Sequence, residues 1–91
     1  MKRKVKIHVS GRVQGVFFRQ STQDKAHELG ILGTARNLED GRVEIIALAD
    51  NTRLEPFIEW CRQGPKAAKV DNLEIIDADV IDNEFTGFKI I

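Results

Sequence analysis

The sequence predicts an α+β sandwich in which two helices cover one face of an antiparallel sheet. Several short segments alternate apolar with polar residues, which is typical of half-buried strands. Two other segments place apolar residues at helical spacing. In chain order the elements run β-α-β-β-α-β, with one further strand at the C-terminal end. This order is the ferredoxin-like pattern.

The first strand is predicted from strict alternation near the N-terminus. Its apolar side is formed by Val5, Ile7 and Val9. The basic cluster beside it consists of Lys2, Arg3, Lys4 and Lys6. Alternation places Lys4, Lys6 and His8 on the polar side, so we interpret the cluster as a solvated strand edge.

The first helix is predicted from a cap signal after a glycine-containing loop. Ser21 is a suitable N-cap, and Asp24 stands three residues further on as its acidic partner. The helix is expected to run to about Leu29, where Gly30 stops it. Ala26 and Leu29 are expected to face the core.

A hairpin is predicted next, with strands at residues 33–38 and 42–49. The sequence Glu39-Asp40-Gly41 forms its turn, since Asp-Gly is a strong hairpin signal. One face of the second strand carries Val43, Ile45 and Ala47. Because Ile46 and Leu48 are apolar on the other face, we expect a central strand with contacts on both sides.

The second helix is predicted from the capping-box pattern Thr52-x-x-Glu55. Its apolar stripe at helical spacing is Leu54, Phe57, Ile58 and Cys61. Pro56 is placed in the first turn, where a missing N–H costs least, and Gly64-Pro65 ends the helix. Residues 70–80 contain a fourth strand, and Phe85–Ile91 form the last one, with Phe88 and Ile90 on one face.

Length and composition limit the possible functions of the chain. The 91 residues predict a single domain, 1–91. Fourteen basic residues balance fourteen acidic ones, which argues against a uniformly electropositive nucleic-acid binder. Cys61 is the only cysteine, and its apolar neighbours suggest a core thiol. No secretory signal or membrane-length apolar stretch occurs, so a cytoplasmic location is expected.

The segment from Gly11 to Arg19, here called the glycine loop, is the strongest candidate for chemistry. It joins a strand to a helix, so its backbone N–H groups and the helix N-terminus concentrate partial positive charge. Arg19 adds a full charge on a planar fork of donors, which fits a phosphate. The spacing matches neither a P-loop nor a dinucleotide fingerprint. From these residues alone, an anion site and ordinary turn glycines both remain open.

The glycine loop also resembles a known signature. The segment from Val9 to Arg19 is similar to the signature of the acylphosphatase family, some of whose members carry Gly at the position of Phe17. The spacing Gly30-x-x-Gly33-x-x-x-Asn37 resembles the second signature of that family. The resemblance extends to the helix at 55–60, the Gly64-Pro65 break and the terminal Phe88, and so covers nearly the whole chain.

This resemblance implies an enzyme that hydrolyses the carboxyl-phosphate bond of acyl phosphates without a cofactor. Arg19 would then bind the phosphoryl group and Asn37 would hold the attacking water. The substrate-binding cradle is completed by the backbone N–H groups of Gln14, Gly15, Val16, Phe17 and Phe18. Because the Asn37 amide is neutral, its role is orientation, and we expect a phosphate oxygen of the substrate to act as the base.

The remaining polar residues suggest no other site. His8 and His27 lack partners at metal-ligand spacing, so no metal is expected. Thr22 is a candidate for contact with Arg19. Of Phe17 and Phe18, one ring is expected to point to solvent or to the site mouth.

The expected partners are therefore small: an acyl phosphate as substrate, and inorganic phosphate as product and competitive inhibitor. No nucleic acid or membrane partner is expected. The protein is expected to be a monomer. Two alternatives stay open. One is a domain that processes carbamoyl phosphate. The other is a non-catalytic ferredoxin-like binding module, which for RNA needs exposed aromatic residues on the central strands.

Overall fold

A computed structural model describes residues 1–91 and confirms the predicted order of elements. These are β1 (Lys2–Arg12), α1 (Phe18–Leu29), β2 (Leu32–Asn37), β3 (Val43–Asp50), α2 (Asn51–Gln63), β4 (Lys69–Ala78) and β5 (Phe88–Ile90). The sheet has the strand order β4-β1-β3-β2-β5. β3 is therefore the central strand, as its two apolar faces predict.

The core lies between one face of the sheet and both helices. In the antiparallel pairing of β1 with β3, Val5 lies opposite Ala47, Ile7 opposite Ile45 and Val9 opposite Val43. These residues join the buried faces of α1 and α2 in one cluster of 17 buried residues. The α+β sandwich with ferredoxin-like topology is confirmed.

The sheet is mixed rather than wholly antiparallel, because β5 pairs parallel with β2. β4 lies at the opposite edge of the sheet. The chain must cross the sheet to reach β2, and Val80–Phe85 lie beside Leu32 and Leu48 on the outer face. This crossing reverses the chain once after β4, so β5 runs in the direction of β2. It also shortens the last strand, which begins at Phe88 and not at Phe85 as predicted.

The prediction that the N-terminal basic cluster is a solvated edge is wrong, because the crossing segment, residues 79–87, covers part of that cluster. β1 lies between β3 and β4, and Lys4 is only 9% exposed. Its Nζ donates a hydrogen bond to Glu84 (2.6 Å) and lies 5.7 Å from the centre of the Phe85 ring. Lys4 therefore holds the crossing segment against the outer face by an ion pair and a cation–π contact.

Both predicted helix caps are wrong. α1 begins at Phe18, and the N–H of Ser21 inside it donates to the Phe17 carbonyl oxygen (3.0 Å). α2 begins at Asn51, because the Asp50 carboxylate accepts a hydrogen bond from the Arg53 N–H (3.1 Å) and caps the helix first.

The earlier start of α2 has two consequences. The Thr52 hydroxyl donates to the Asp50 carboxylate (2.6 Å) instead of capping the helix itself. Pro56 falls in the second turn and not in the first. The predicted ends are confirmed, since Gly30 and Gly64 follow the last residues of α1 and α2.

Two further observations bear on function. Cys61 is fully buried, and this burial raises the pKa of its thiol, so the side chain is a core residue as expected. None of the helices has the length and apolar character that a membrane crossing requires.

Candidate active site

The glycine loop leaves a run of backbone donors without protein acceptors. Residues 13–17 join β1 to α1 and belong to neither element. None of their backbone N–H groups donates a hydrogen bond to another backbone group. The N–H groups of the first helical turn lack helical acceptors by geometry. α1 also has no side-chain cap, so this helix start remains able to donate hydrogen bonds to an anion.

The loop owes its curvature to two left-handed residues. Gly15 has φ +74°, and a Cβ at this position would meet no atom within 4 Å. Glycine is therefore favoured there by the backbone and not by lack of space. Phe17 has φ 62° and ψ 25°, which costs a bulky residue on the order of 1–3 kcal/mol. Left-handed residues of this kind turn successive N–H groups toward a common concavity.

Arg19 is the second residue of α1 and carries an uncommitted positive charge. It is half-buried, and no carboxylate lies within 4 Å of its guanidinium. Its side chain lines a cleft of about 340 Å³ together with the glycine loop. A guanidinium at a helix N-terminus adds its charge to that of the helix dipole, so both favour an anion in this cleft.

Asn37 lies across the same cleft at the end of β2. Its amide makes no hydrogen bond to another protein group. Gly33, in the same strand, fits β2 closely against β3, because a Cβ there would overlap the carbonyl oxygen of Ile46. The fold thus brings the two predicted catalytic residues, Arg19 and Asn37, to one cleft from different elements.

The predicted cradle residues divide into two groups. Gly15, Phe17 and Phe18 line the cleft, whereas Gln14 and Val16 do not. Val16 is half-buried and packs against the core. The prediction for these five residues concerned their backbone N–H groups, which lie consecutively along the loop.

The side chain of Gln14 ties the glycine loop to the β2–β3 hairpin. Its Nε2 donates hydrogen bonds to the carbonyl oxygens of Leu38 and Arg42, each at 2.9 Å. Leu38 directly follows Asn37, so this amide links the loop to the strand end that carries Asn37.

The two phenylalanines separate as expected. The Phe18 side chain is 1% exposed and packs against Trp60, with ring centres 5.9 Å apart. The Phe17 side chain is 80% exposed and lies at the cleft. The Thr22 hydroxyl donates to the Phe18 carbonyl oxygen (2.7 Å) and makes no hydrogen bond to Arg19.

Three cleft residues were missed by sequence reasoning: Val13, Gln20 and Ile90. Val13 and Gln20 flank the predicted residues along the chain, so the loop itself was the available signal. Ile90 comes from β5, which reaches the cleft only because it pairs with β2. No local pattern could have placed it there.

A chain of hydrogen-bonded polar and charged side chains crosses the outer face of the hairpin. Glu44 accepts hydrogen bonds from His8 and Arg36, both at 2.9 Å. Arg42 donates to Nδ1 of His8 (3.1 Å), so Nε2 carries the proton shared with Glu44. Burial raises the pKa of Glu44, but the hydrogen bonds from His8 and Arg36 and the charges of Arg36 and Lys6 lower it more. The pKa therefore lies below its ordinary value of 4.5.

Next to this chain, the backbone N–H and the guanidinium of Arg42 hold the pKa of Asp40 below its usual range. Both ring nitrogens of His8 therefore contact residues of the hairpin, and His8 does not line the cleft. No group of three His, Cys, Asp or Glu side chains is arranged to hold a metal ion.

The chain is an α+β sandwich in which an uncapped helix start borders a cleft, and comparisons with known proteins agree with this fold. The family model described as acylphosphatase matches residues 5–90. An acylphosphatase of Methylococcus capsulatus is 44% identical over 89 residues, which are 98% of this chain and 96% of that protein. An acylphosphatase of Marinobacter nauticus is 48% identical over 81 residues, covering 89% and 87%.

A solved structure is similar over the whole fold. The structure of an acylphosphatase from Coxiella burnetii superposes with a TM-score of 0.92 at 36% identity, covering 99% of this chain and 93% of that one. The chain belongs to the acylphosphatase family. It is accordingly an enzyme whose family activity is the hydrolysis of acyl phosphates.

Proposed function

We propose that this chain hydrolyses acyl phosphates by attack of water on a phosphoryl group held between the glycine loop and Arg19. The proposal is supported above all by one observation. Gly15 and Phe17 with their free backbone donors, Arg19 with its unpaired guanidinium, and Asn37 all border a single cleft. Each of these groups lacks a protein partner, so each is available to a ligand.

The backbone N–H groups of Gln14, Gly15, Val16, Phe17 and Phe18 bind the non-bridging oxygens of the phosphoryl group. Arg19 adds a bidentate, charge-assisted pair of hydrogen bonds. The transition state of phosphoryl transfer spreads negative charge over these equatorial oxygens. Donors that are already in place stabilise that charge with little reorganisation.

Asn37 orients the water for in-line attack. Its amide oxygen accepts one hydrogen bond from the water. This contact orients a lone pair of the water oxygen toward phosphorus. The P–O bond to the acyl group breaks as the new P–O bond forms, and the carboxylate leaves with the electron pair. The water proton passes to a phosphate oxygen of the substrate. A carboxylate is a good leaving group, so the reaction needs no strong general acid.

Other expectations from the sequence stay proposals: a single domain, a monomeric state, a cytoplasmic location and no nucleic-acid partner. The RNA-binding alternative gains no support, because β1 and β3 contain no Phe, Tyr or Trp and the His8 ring is hydrogen-bonded to Glu44 and Arg42. Inorganic phosphate is expected to compete with substrate, since it presents the same oxygens to the same donors.

The test is hydrolysis of benzoyl phosphate in the presence of a chelator, with inorganic phosphate as competitor. We expect turnover that resists the chelator and is competitively inhibited by phosphate. Acetyl and carbamoyl phosphate are assayed in parallel. Hydrolysis of none of the three would overturn the proposal, and activity confined to carbamoyl phosphate would favour the carbamoyl-processing alternative.

A further inference from the structure

We infer that Phe17 and Ile90 form a contact surface for the acyl group, which makes apolar and aromatic acyl phosphates the preferred substrates. This inference rests on the proposed function, since it places the acyl group beside the phosphate cradle. It names a substrate class that the backbone N–H groups of the glycine loop, which bind only the phosphoryl group in the proposed mechanism, do not select.

The cleft is larger than its phosphate-binding part requires. Its volume of about 340 Å³ lies at the lower end of the range for small-molecule sites. A phosphoryl group has only four heavy atoms, and a single water, with one heavy atom, takes about 30 Å³. Room therefore remains beside the glycine loop for the group attached to the phosphate.

The apolar surface available in this cleft comes from two side chains. Four apolar residues line it: Val13, Phe17, Phe18 and Ile90. Val13 and Phe18 are each only 1% exposed and offer a ligand almost no surface. Phe17 is 80% exposed and Ile90 is half-buried, so these two supply the apolar wall.

The folded structure gives no stabilising role to the Phe17 side chain. Its left-handed backbone conformation suits glycine, which would adopt it without a Cβ penalty. Its ring lies outside the core cluster and pairs with no other aromatic ring. A strained residue that also exposes its ring to water is explained if the ring contacts a ligand.

The chemistry of the wall selects apolar groups over small polar ones. An aromatic ring offers a flat face to another ring or to an alkyl chain. The only charged residue that lines the cleft is Arg19, which binds the phosphoryl group in the proposed mechanism. A benzoyl group therefore gains a contact that an acetyl group is too small to make, and a carbamoyl amide gains no apolar contact.

The test compares benzoyl and acetyl phosphate in Phe17→Gly, which removes the ring and relieves the backbone strain, and in Ile90→Ala. We expect the ratio of kcat/KM for benzoyl over acetyl phosphate to fall about three- to tenfold in Phe17→Gly, and less in Ile90→Ala. The ratio within one protein cancels general damage to the loop, and comparing the ratio between variant and wild type cancels the difference between the two leaving groups.

The matched control is Ile76→Ala, which removes an exposed apolar side chain of β4 outside the cleft. This variant should leave the ratio unchanged. A ratio equal to that of the wild type in both cleft variants would overturn the inference while leaving the proposed hydrolysis intact. Wild-type protein that hydrolyses neither substrate would instead remove the proposed function itself.

Discussion

Arg19 and Asn37 share a cleft but differ in charge, and this difference separates their proposed roles. The Arg19 guanidinium has no carboxylate partner, so in the proposed mechanism its charge acts on the phosphoryl group in both the bound and the transition state. In that mechanism the neutral Asn37 amide acts on the water, which the binding of inorganic phosphate does not require. The two side chains should therefore affect phosphate binding and turnover differently.

Replacing each residue should separate the two effects. Arg19→Gln is expected to lower kcat and weaken competitive inhibition by phosphate together, with kcat falling at least roughly 10²-fold. Asn37→Ala is expected to lower kcat by a similar order and to leave phosphate inhibition nearly unchanged. The measurement is kcat and the phosphate inhibition constant for both variants.

Arg62→Gln is the matched control for charge, because Arg62 is an exposed residue of α2 outside both the cleft and the glycine loop. It should leave both quantities close to their wild-type values. Equal loss of phosphate binding in the Arg19 and Asn37 variants would contradict the separation of roles.

At the residue scale, the sequence predicted the polar residues that line the cleft better than the apolar ones. Arg19 and Asn37 stand in local signatures, so their types and spacing were visible. Ile90 was not, because its place in the cleft depends on long-range pairing of β5 with β2. The left-handed conformation of Phe17 was also hidden, since nothing in the residue type demands it.

At the scale of elements, the start of α1 is where the ordinary capping rule fails. Ser21 and Asp24 have the right types for a cap, yet the helix begins at Phe18 with no side-chain cap. In the proposed mechanism the absence of a side-chain cap has a function, because a side chain bound to these N–H groups would compete with the phosphoryl group. Local rules are expected to break at functional sites. α2 has no such site and is capped by Asp50 in the ordinary way.

The Gln14 side chain links the two elements that carry the proposed chemistry, and its removal should act through Asn37. Gln14→Ala loses both hydrogen bonds to the hairpin and frees the loop to shift relative to β2. We expect kcat to fall on the order of tenfold to a hundredfold, because small misplacements of a positioning group are costly. In the Asn37→Ala background the same substitution should have a much smaller effect on kcat.

A purely structural role for Gln14 predicts a different result. The reductions in kcat caused by the two single substitutions would then multiply in the double variant. Gln23→Ala is the matched control, since its amide also donates to a backbone carbonyl, that of Phe88, at 2.9 Å. It should lower stability to a similar extent and leave kcat unchanged. Multiplicative effects in the double variant would show that Gln14 does not position Asn37.

At the scale of the whole molecule, the two faces of the sheet have different chemistry. One face packs against both helices and forms the apolar core. The other carries the ion pairs around Glu44 and the crossing segment held by Lys4. Strand alternation predicted the first face well. It missed the covering of Lys4, because residues 79–87 show no pattern that says which surface they cross.

The ion pairs on the outer face should make stability depend on pH in the acid range. The pKa of Glu44 is lower in the folded protein than in the unfolded chain. Its contribution to stability is therefore present above the unfolded pKa of 4.5 and is lost as pH falls through the folded value. The groups facing it are His8, Arg36 and Lys6.

The measurement is the free energy of unfolding of the wild type and of Glu44→Gln at pH 7 and pH 3. We expect the wild type to be more stable than the variant at pH 7. The difference should be smaller at pH 3, because this pH lies below the unfolded pKa of 4.5, where the contribution of Glu44 is being lost. Glu28→Gln, which alters an exposed pair with Lys25, should show a smaller difference at pH 7. A difference between wild type and Glu44→Gln that stayed constant from pH 7 to pH 3 would be inconsistent with this account.

The central claim is that the glycine loop and Arg19 bind a phosphoryl group, and a titration of the isotope-labelled protein with inorganic phosphate, followed by amide NMR shifts, tests it most directly. We predict saturable shifts concentrated in the N–H groups of residues 14–18 and in Arg19, and their loss in Arg19→Gln. Shifts spread over the lysine-rich N-terminal strand, with the loop amides unmoved, would contradict the claim.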